Sequence, residues 1–211
     1  MVEQKPYELA GLYALADTSV LSEDLLVPAV ALAIDGGARV VQYRSKVDDP
    51  GLKQWQAVDL LHVCRGLDVP LIVNDDLDLA AEIGAAGVHL GKDDATVVEA
   101  RERLGADAII GASCYGSLEL AEQAWRDGAS YVAFGRFFPS STKPFAVHTE
   151  MAILRDARER VPIPLCAIGG INTSNAAAVI EAGADMVAVA HGLFGEGDVK
   201  VIAGQFARLF G

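Results

Sequence analysis

The sequence predicts an α/β protein folded as one closed (β/α)8 barrel, a TIM barrel, over the whole of residues 1–211. Three observations predict it. Short apolar runs alternate with longer amphipathic runs through eight units, and regular β–α alternation gives a parallel sheet with crossover helices. No break in composition divides those units, and eight of them in one domain suit a closed barrel rather than an open sheet. Helix-stopping glycines also recur just ahead of strands, in Asp35-Gly36-Gly37-Ala38, Gly84-Ala85-Ala86-Gly87, Asp127-Gly128-Ala129 and Ala182-Gly183-Ala184-Asp185, where a helix C-cap calls for positive φ. The alternative, an open doubly wound sheet, lacks a Gly-x-Gly-x-x-Gly after the first strand.

The elements follow in order. Leu12-Tyr13-Ala14-Leu15-Ala16 is the first strand, ending at Asp17. Residues 23–35 carry Leu25, Leu26, Ala29, Val30, Ala33 and Ile34 at helical spacing, with Ser22 as N-cap and Gly36-Gly37 as stop. Val40-Val41-Gln42-Tyr43-Arg44-Ser45-Lys46 opens as a strand and closes in charge. Helices over 51–65, 77–84, 96–104, 117–127, 150–160, 175–182 and 199–210 then alternate with strands over 70–73, 87–91, 108–111 (ending at Ser113), 131–135, 164–168 and 186–190.

The protein carries a net charge of −12, from 29 acids against 17 bases. That balance argues against nucleic acid and anionic membrane as partners and makes any local cationic cluster informative. Hydrophobic residues make up 52% and charged residues 22%, as in a globular chain. Cys64, Cys114 and Cys166 are far apart and in no metal spacing, which fits reduced thiols in a cytoplasmic protein. The N-terminus lacks the form of a signal peptide, and no apolar run is long enough to span a bilayer. Oligomeric state is left open, a homo-oligomer included.

In a barrel the chemistry belongs at the strand ends. Period-two alternation puts Val40, Gln42, Arg44 and Lys46 on one face of their strand and Val41, Tyr43 and Ser45 on the other. Two cations gathered at a strand end suit an anionic ligand, Arg as a planar fork and Lys as a point charge; a solvated basic turn is the competing account. Asn74-Asp75-Asp76 and Lys92-Asp93-Asp94 close neighbouring strands. Their carboxylates suit a hard cation such as Mg²⁺, or simply N-caps. Ser113 suits donation to a phosphate or a heterocycle, or a helix cap. Phe138-Pro139-Ser140-Ser141-Thr142-Lys143-Pro144 offers hydroxyls and a Lys for an anion, and its length suits a lid. Ile168-Gly169-Gly170-Ile171 lets backbone approach a phosphate. His89 sits in a strand as a core residue, and His191 follows the last strand toward the mouth.

These motifs, in this order and over essentially the whole chain, resemble the thiamine phosphate synthase family. Gln42-Tyr43-Arg44-Ser45-Lys46 is similar to its Gln-x-Arg-x-Lys, Val73-Asn74-Asp75 to its Asn-Asp strand end, and Gly87-Val88-His89-Leu90-Gly91-Lys92-Asp93-Asp94 to its Gly-Val-His-Leu-Gly-Gln-Glu-Asp. Gly111-Ala112-Ser113 resembles Gly-x-Ser, and Phe138-Pro139-Ser140-Ser141-Thr142-Lys143 resembles Phe-Pro-Thr-Pro-Thr-Lys. The sequence departs at Ala190-His191, where the family carries Val-Ser or Ile-Ser, at Lys92 in place of Gln, and at Ser141 in place of Pro.

The resemblance implies a transferase that couples hydroxymethylpyrimidine diphosphate to hydroxyethylthiazole phosphate, or to the carboxylated form of that thiazole. It implies Mg²⁺ held by Asp75 and Asp94. It implies that Gln42, Tyr43, Arg44, Ser45, Lys46, Asn74, Ser113 and Lys143 hold the pyrimidine substrate, with Arg44, Lys46, Ser113 and Lys143 acting in catalysis. Ser140, Ser141, Thr142, Gly170, Ala190 and His191 are then expected at the thiazole phosphate. The expected chemistry is dissociative substitution, with diphosphate leaving before the thiazole nitrogen attacks. Two competing functions remain at this level: a thiazole tautomerase, which moves protons and joins nothing, and a non-catalytic barrel that binds a phosphorylated ligand.

Overall fold

A computed structural model of the protein describes residues 7–139, 148–195 and 197–211. Eight parallel strands close into a barrel in the order β1-β2-β3-β4-β5-β6-β7-β8. They are β1 (Gly11–Asp17), β2 (Ala38–Arg44), β3 (Leu71–Asn74), β4 (Gly87–Leu90), β5 (Ile109–Tyr115), β6 (Tyr131–Phe134), β7 (Leu165–Ile168) and β8 (Met186–Val189). The pairing of β1 with β8 closes the ring, Gly11 opposite Met186 and Ala14 opposite Val189. The helices are α1 (Glu23–Asp35), α2 (Pro50–Gly66), α3 (Leu77–Ile83), α4 (Val97–Leu104), α5 (Leu118–Arg126), α6 (Ala152–Arg160), α7 (Ala176–Glu181), α8 (His191–Phe194) and α9 (Val199–Ala207). The short α8 follows β8 closely and is an element that the sequence pattern does not announce. β5 runs on to Tyr115, two residues past the strand end expected at Ser113.

Strand alternation divides the apolar residues into two cores. Inside the ring lie Tyr13, Leu15, Val40, Ile72, Ile109, Tyr131, Ala133, Cys166, Met186 and Ala188. Between ring and helices lies the larger cluster, which includes Leu12, Val41, Tyr43, Leu60, Val88, Val132, Leu154, Val187 and Phe206. The recurring glycines behave as expected: Gly37, Gly84, Gly128 and Gly183 all have positive φ, +110°, +66°, +97° and +116°. The expected cap at Ser22 sits at the N-cap position of α1 but makes no side-chain bond there. Asp49, Asp76, Thr96, Ser117 and Asp198 do cap their helices through side-chain oxygens.

The end of the barrel where strands begin is clamped by two arginines. Arg101 of α4 donates to the carbonyls of Gly105, Ala106, Ala108 and Gly128 and to Ser130 Oγ. It thereby ties the approaches to β5 and β6. Arg158 of α6 pairs with Asp185 and donates to the Gly183 carbonyl, while Asp185 also accepts from the Leu165 N–H at 2.7 Å. Among the described residues no helix is long and apolar enough to cross a membrane.

Candidate active site

The opposite end, where strands finish, opens into a cavity of about 530 Å³. It is lined by Leu15 and Asp17 from β1, Gln42 and Arg44 from β2, Asn74 and Asp75 at the end of β3, His89 from β4 and Lys92 to Asp94 just past it, and Ser113 and Tyr115 from β5. The other wall is Gly135, Arg136 and Pro139 after β6, Ile168 at the end of β7 with Gly169 to Asn172 after it, and Ala190 to Gly192 after β8. Gln42, Arg44, Asn74, Asp75, Asp94, Ser113, Gly170, Ala190 and His191, expected from positions far apart in sequence, thus face one space.

Three residues of the β2 motif are placed differently. Tyr43 points outward, as its alternation requires: it is buried against α2, and its hydroxyl donates to Gln56 Oε1 at 2.8 Å. β2 ends at Arg44, so strand periodicity no longer carries Lys46 onto the inner face. Ser45 and Lys46 are not among the lining residues; the Lys46 N–H donates to Thr18 Oγ1 at 2.8 Å. Ser140, Ser141, Thr142 and Lys143 lie outside the described residues.

The acids divide their labour. Asp76 caps α3 by accepting from the Leu79 N–H at 2.9 Å and pairs with Lys53 at 2.6 Å. Burial would raise the Asp76 carboxyl, but those two partners hold it below its ordinary value. Its neighbour Asp75 adopts the left-handed conformation at φ +64° and lines the cavity. A non-glycine residue held there carries strain that functional sites often retain. Asp94 accepts from the Gly91 N–H at 2.6 Å and lines the cavity, whereas the capping box of α4 is made by Thr96 and Glu99. Neither Asp75 nor Asp94 is used as a helix cap, and β3 and β4 are adjacent strands.

Arg44 is anchored from behind. Its guanidinium pairs with Asp17, whose side chain is only 2% exposed. Asp17 also accepts from Ser19 N–H and Oγ, at 2.8 and 2.6 Å. Burial alone would raise the Asp17 carboxyl; the two Ser19 donors and the Arg44 charge bring it below its ordinary value. Sequence reasoning missed Asp17 as a site residue, although its place at the end of β1, level with Arg44 in the β1–β2 register, was the available signal.

It also missed a polar chain beneath the cavity. Gln42 Nε2 donates to the Tyr13 hydroxyl at 2.8 Å, which lies 2.9 Å from the Tyr131 hydroxyl. The Tyr131 hydroxyl lies 2.9 Å from His89 Nδ1, and His89 Nε2 lies 2.9 Å from Ser113 Oγ. Ser113 does not cap α5, a task that falls to Ser117.

Across the cavity the β6 and β7 ends interlock. The Phe138 N–H donates to the Gly169 carbonyl at 3.0 Å, and a Cβ on Gly170, whose φ is +67°, would lie 2.3 Å from the Pro139 carbonyl oxygen. Only glycine lets the β6 loop lie so close.

The chain matches the family model described as thiamine monophosphate synthase over residues 12–193. It is 50% identical over 202 residues to a thiamine-phosphate synthase of Nitrosococcus oceani, covering 96% of this chain and 93% of that protein. It is likewise 50% identical over 205 residues to one of Methylococcus capsulatus, covering 97% and 91%. Among solved structures, thiamine phosphate pyrophosphorylase from Pyrococcus furiosus superposes with a TM-score of 0.84 at 34% identity, over 95% of both chains. Half of all positions shared with such relatives along nearly full length, together with a model match over residues 12–193, leaves no other assignment: the chain belongs to the thiamine monophosphate synthase family.

Proposed function

We propose that the chain makes thiamine phosphate by joining hydroxymethylpyrimidine diphosphate to hydroxyethylthiazole phosphate with Mg²⁺ bound. The observation that carries this reading is that Arg44, Asp75 and Asp94 face one cavity. A fixed cation and two carboxylates are what a metal-bound diphosphate needs. The donor set fits Mg²⁺, which takes one or two carboxylates and completes its shell with water and substrate phosphate oxygens. Asp75 and Asp94 would hold it, and when bound it supplies positive charge to the leaving diphosphate.

The residues of the chain do the rest. The anchored Arg44 fork holds phosphate oxygens; Lys143, and Lys46 from the segment just past β2 and outside the cavity lining, would by resemblance add point charges. Gln42, Asn74 and Ser113 hold the remainder of the pyrimidine substrate. The bond between the pyrimidine methylene carbon and the diphosphate oxygen breaks with its electrons on oxygen, where the cations stabilise them. The aminopyrimidine ring stabilises the carbocation left behind. The thiazole nitrogen then donates its lone pair to that carbon. No proton is removed, so no general base is needed. Gly170, Ala190 and His191 border the far wall of the cavity, where the thiazole phosphate is expected beside Ser140, Ser141 and Thr142. Three buried free thiols suit the cytoplasm as its location.

A thiazole tautomerase has no use for a diphosphate-sized cationic and acidic cluster, and a sensor would release nothing. The purified protein, given both substrates and Mg²⁺, is expected to yield thiamine phosphate and one equivalent of diphosphate. Conversion of thiazole isomers without joining, or binding without product, would overturn the reading.

A further inference from the structure

The chain of contacts under the cavity joins Gln42 to Ser113 through Tyr13, Tyr131 and His89, with every step at 2.8 or 2.9 Å. It crosses the interior from β2 through β1, β6 and β4 to β5. All three middle members are buried, Tyr13 and Tyr131 almost completely. Gly111 makes room for it, because a Cβ there would lie 2.1 Å from the Tyr131 ring.

A proton count gives this chain a direction. Burial pushes both phenols well above their ordinary range, so each stays neutral and owns one proton. Gln42 Nε2 gives a proton to the Tyr13 oxygen. If Tyr131 also donated to Tyr13, the Tyr13 proton would have no acceptor among the described residues, and a fully buried hydroxyl proton is costly to leave unpaired. Tyr13 therefore donates to Tyr131. Tyr131 then spends its proton on His89 Nδ1, which must be unprotonated. The remaining proton of a neutral His89 sits on Nε2 and goes to Ser113 Oγ.

We propose that Tyr13, Tyr131 and His89 are positioning residues that act as a one-way hydrogen-bond relay, presenting Ser113 to the substrate as a donor and the carbonyl of Gln42 as an acceptor. Ser113, with its oxygen already accepting from His89, has its own proton for the cavity. Gln42, with an amide proton held by Tyr13, keeps its carbonyl oxygen for the cavity. The relay thus selects a ligand that offers an acceptor toward β5 and a donor toward β2, as an aminopyrimidine does with a ring nitrogen and an exocyclic amine. A heterocycle with an oxo group in place of the amine would meet acceptor against acceptor at Gln42. This inference rests on the proposed substrate for its ligand, but not for its direction.

Two measurements test it. Nitrogen-15 NMR of the full chain labelled at histidine, with the His89 signals assigned by their loss in His89→Gln, is expected to show a neutral ring protonated on Nε2. A ring protonated on Nδ1, or on both nitrogens, overturns the proposal whatever the enzyme does. In turnover, Tyr131→Phe is expected to raise KM for the pyrimidine diphosphate about tenfold, the scale of one buried hydrogen bond, and to leave KM for the thiazole phosphate unchanged. Ser113→Ala added to it should cost little more than either change alone, since both break one pathway. Multiplying penalties, or equal effects on both substrates, would overturn it. If melting shows Tyr131→Phe unfolded, the pair His89→Gln and His89→Leu decides: Gln can keep a donor toward Ser113 and should retain most activity, whereas Leu should not, and equal losses overturn the relay. Absence of thiamine phosphate with the unaltered protein would sink the proposed reaction while leaving the NMR result to judge the relay.

Discussion

Asp17→Asn isolates the charge behind Arg44. The substitution keeps size and shape but removes the negative partner of a guanidinium whose side chain is 13% exposed, against 2% for Asp17. The Asn carbonyl can still accept from the Ser19 N–H, so most of the loss falls on the contact with Arg44. A hydrogen bond to a charged group contributes about 1.5–3 kcal/mol; with both partners largely buried, about 2–3 kcal/mol is expected. With a urea slope near 3 kcal/mol/M, roughly that of a domain this size, the midpoint should fall by about 1 M. The pH dependence has a definite sign. The Asp17 carboxyl is lowered in the folded state, so its contribution is complete above the unfolded value near 3.9 and is lost as pH falls through the lower folded value. The gap between parent and variant should therefore hold steady from pH 7 to about 5 and narrow only below about 4. Activity should suffer as well, with KM for the pyrimidine diphosphate rising about tenfold or more as Arg44 loses its fixed orientation. An unchanged midpoint at pH 7, or a gap that widens on acidification, would refute this account of the pair.

Other expectations follow from the same geometry. Asp75→Asn should raise the Mg²⁺ concentration for half-maximal turnover about tenfold, the equivalent of about 1.4 kcal/mol; an unchanged Mg²⁺ titration would remove Asp75 from the metal site. Gly170→Ala drives a Cβ to 2.3 Å from the Pro139 carbonyl oxygen at φ +67°, so about 1–3 kcal/mol of stability should be lost in thermal unfolding, together with affinity for the thiazole phosphate. Arg101→Met should cost about 2 kcal/mol through lost bonds to carbonyls while leaving kcat within about twofold; a large fall in kcat with intact stability would contradict its distance from the cavity.

The barrel was legible because period and punctuation are local: apolar runs, amphipathic runs and stop glycines each announce themselves within a few residues. The polar strand ends were legible for the same reason. What sequence could not resolve was which of two adjacent acids caps and which faces the cavity. That depends on backbone conformation, the left-handed turn at Asp75 and the ordinary cap at Asp76. Lys46 shares a face with Gln42 and Arg44 only if strand alternation is extended past the point where β2 stops. Tyr43 lies within the stretch that resembles the family motif, but its own alternation turns it outward toward Gln56. The relay was invisible because its members stand one per strand. His89 did read as a core histidine, and it is one, with both nitrogens engaged; that it also borders the cavity appears only when five strands are brought round into a ring.

The arginine clamps at the strand-entry end have a practical consequence. Arg101 and Arg158 gather the backbone of four strand approaches at the pole farthest from the chemistry. Heat tolerance can therefore be adjusted at that pole by added salt links or shortened turns without disturbing the reacting groups, and substrate preference can be retuned at the mouth without loosening the foundation.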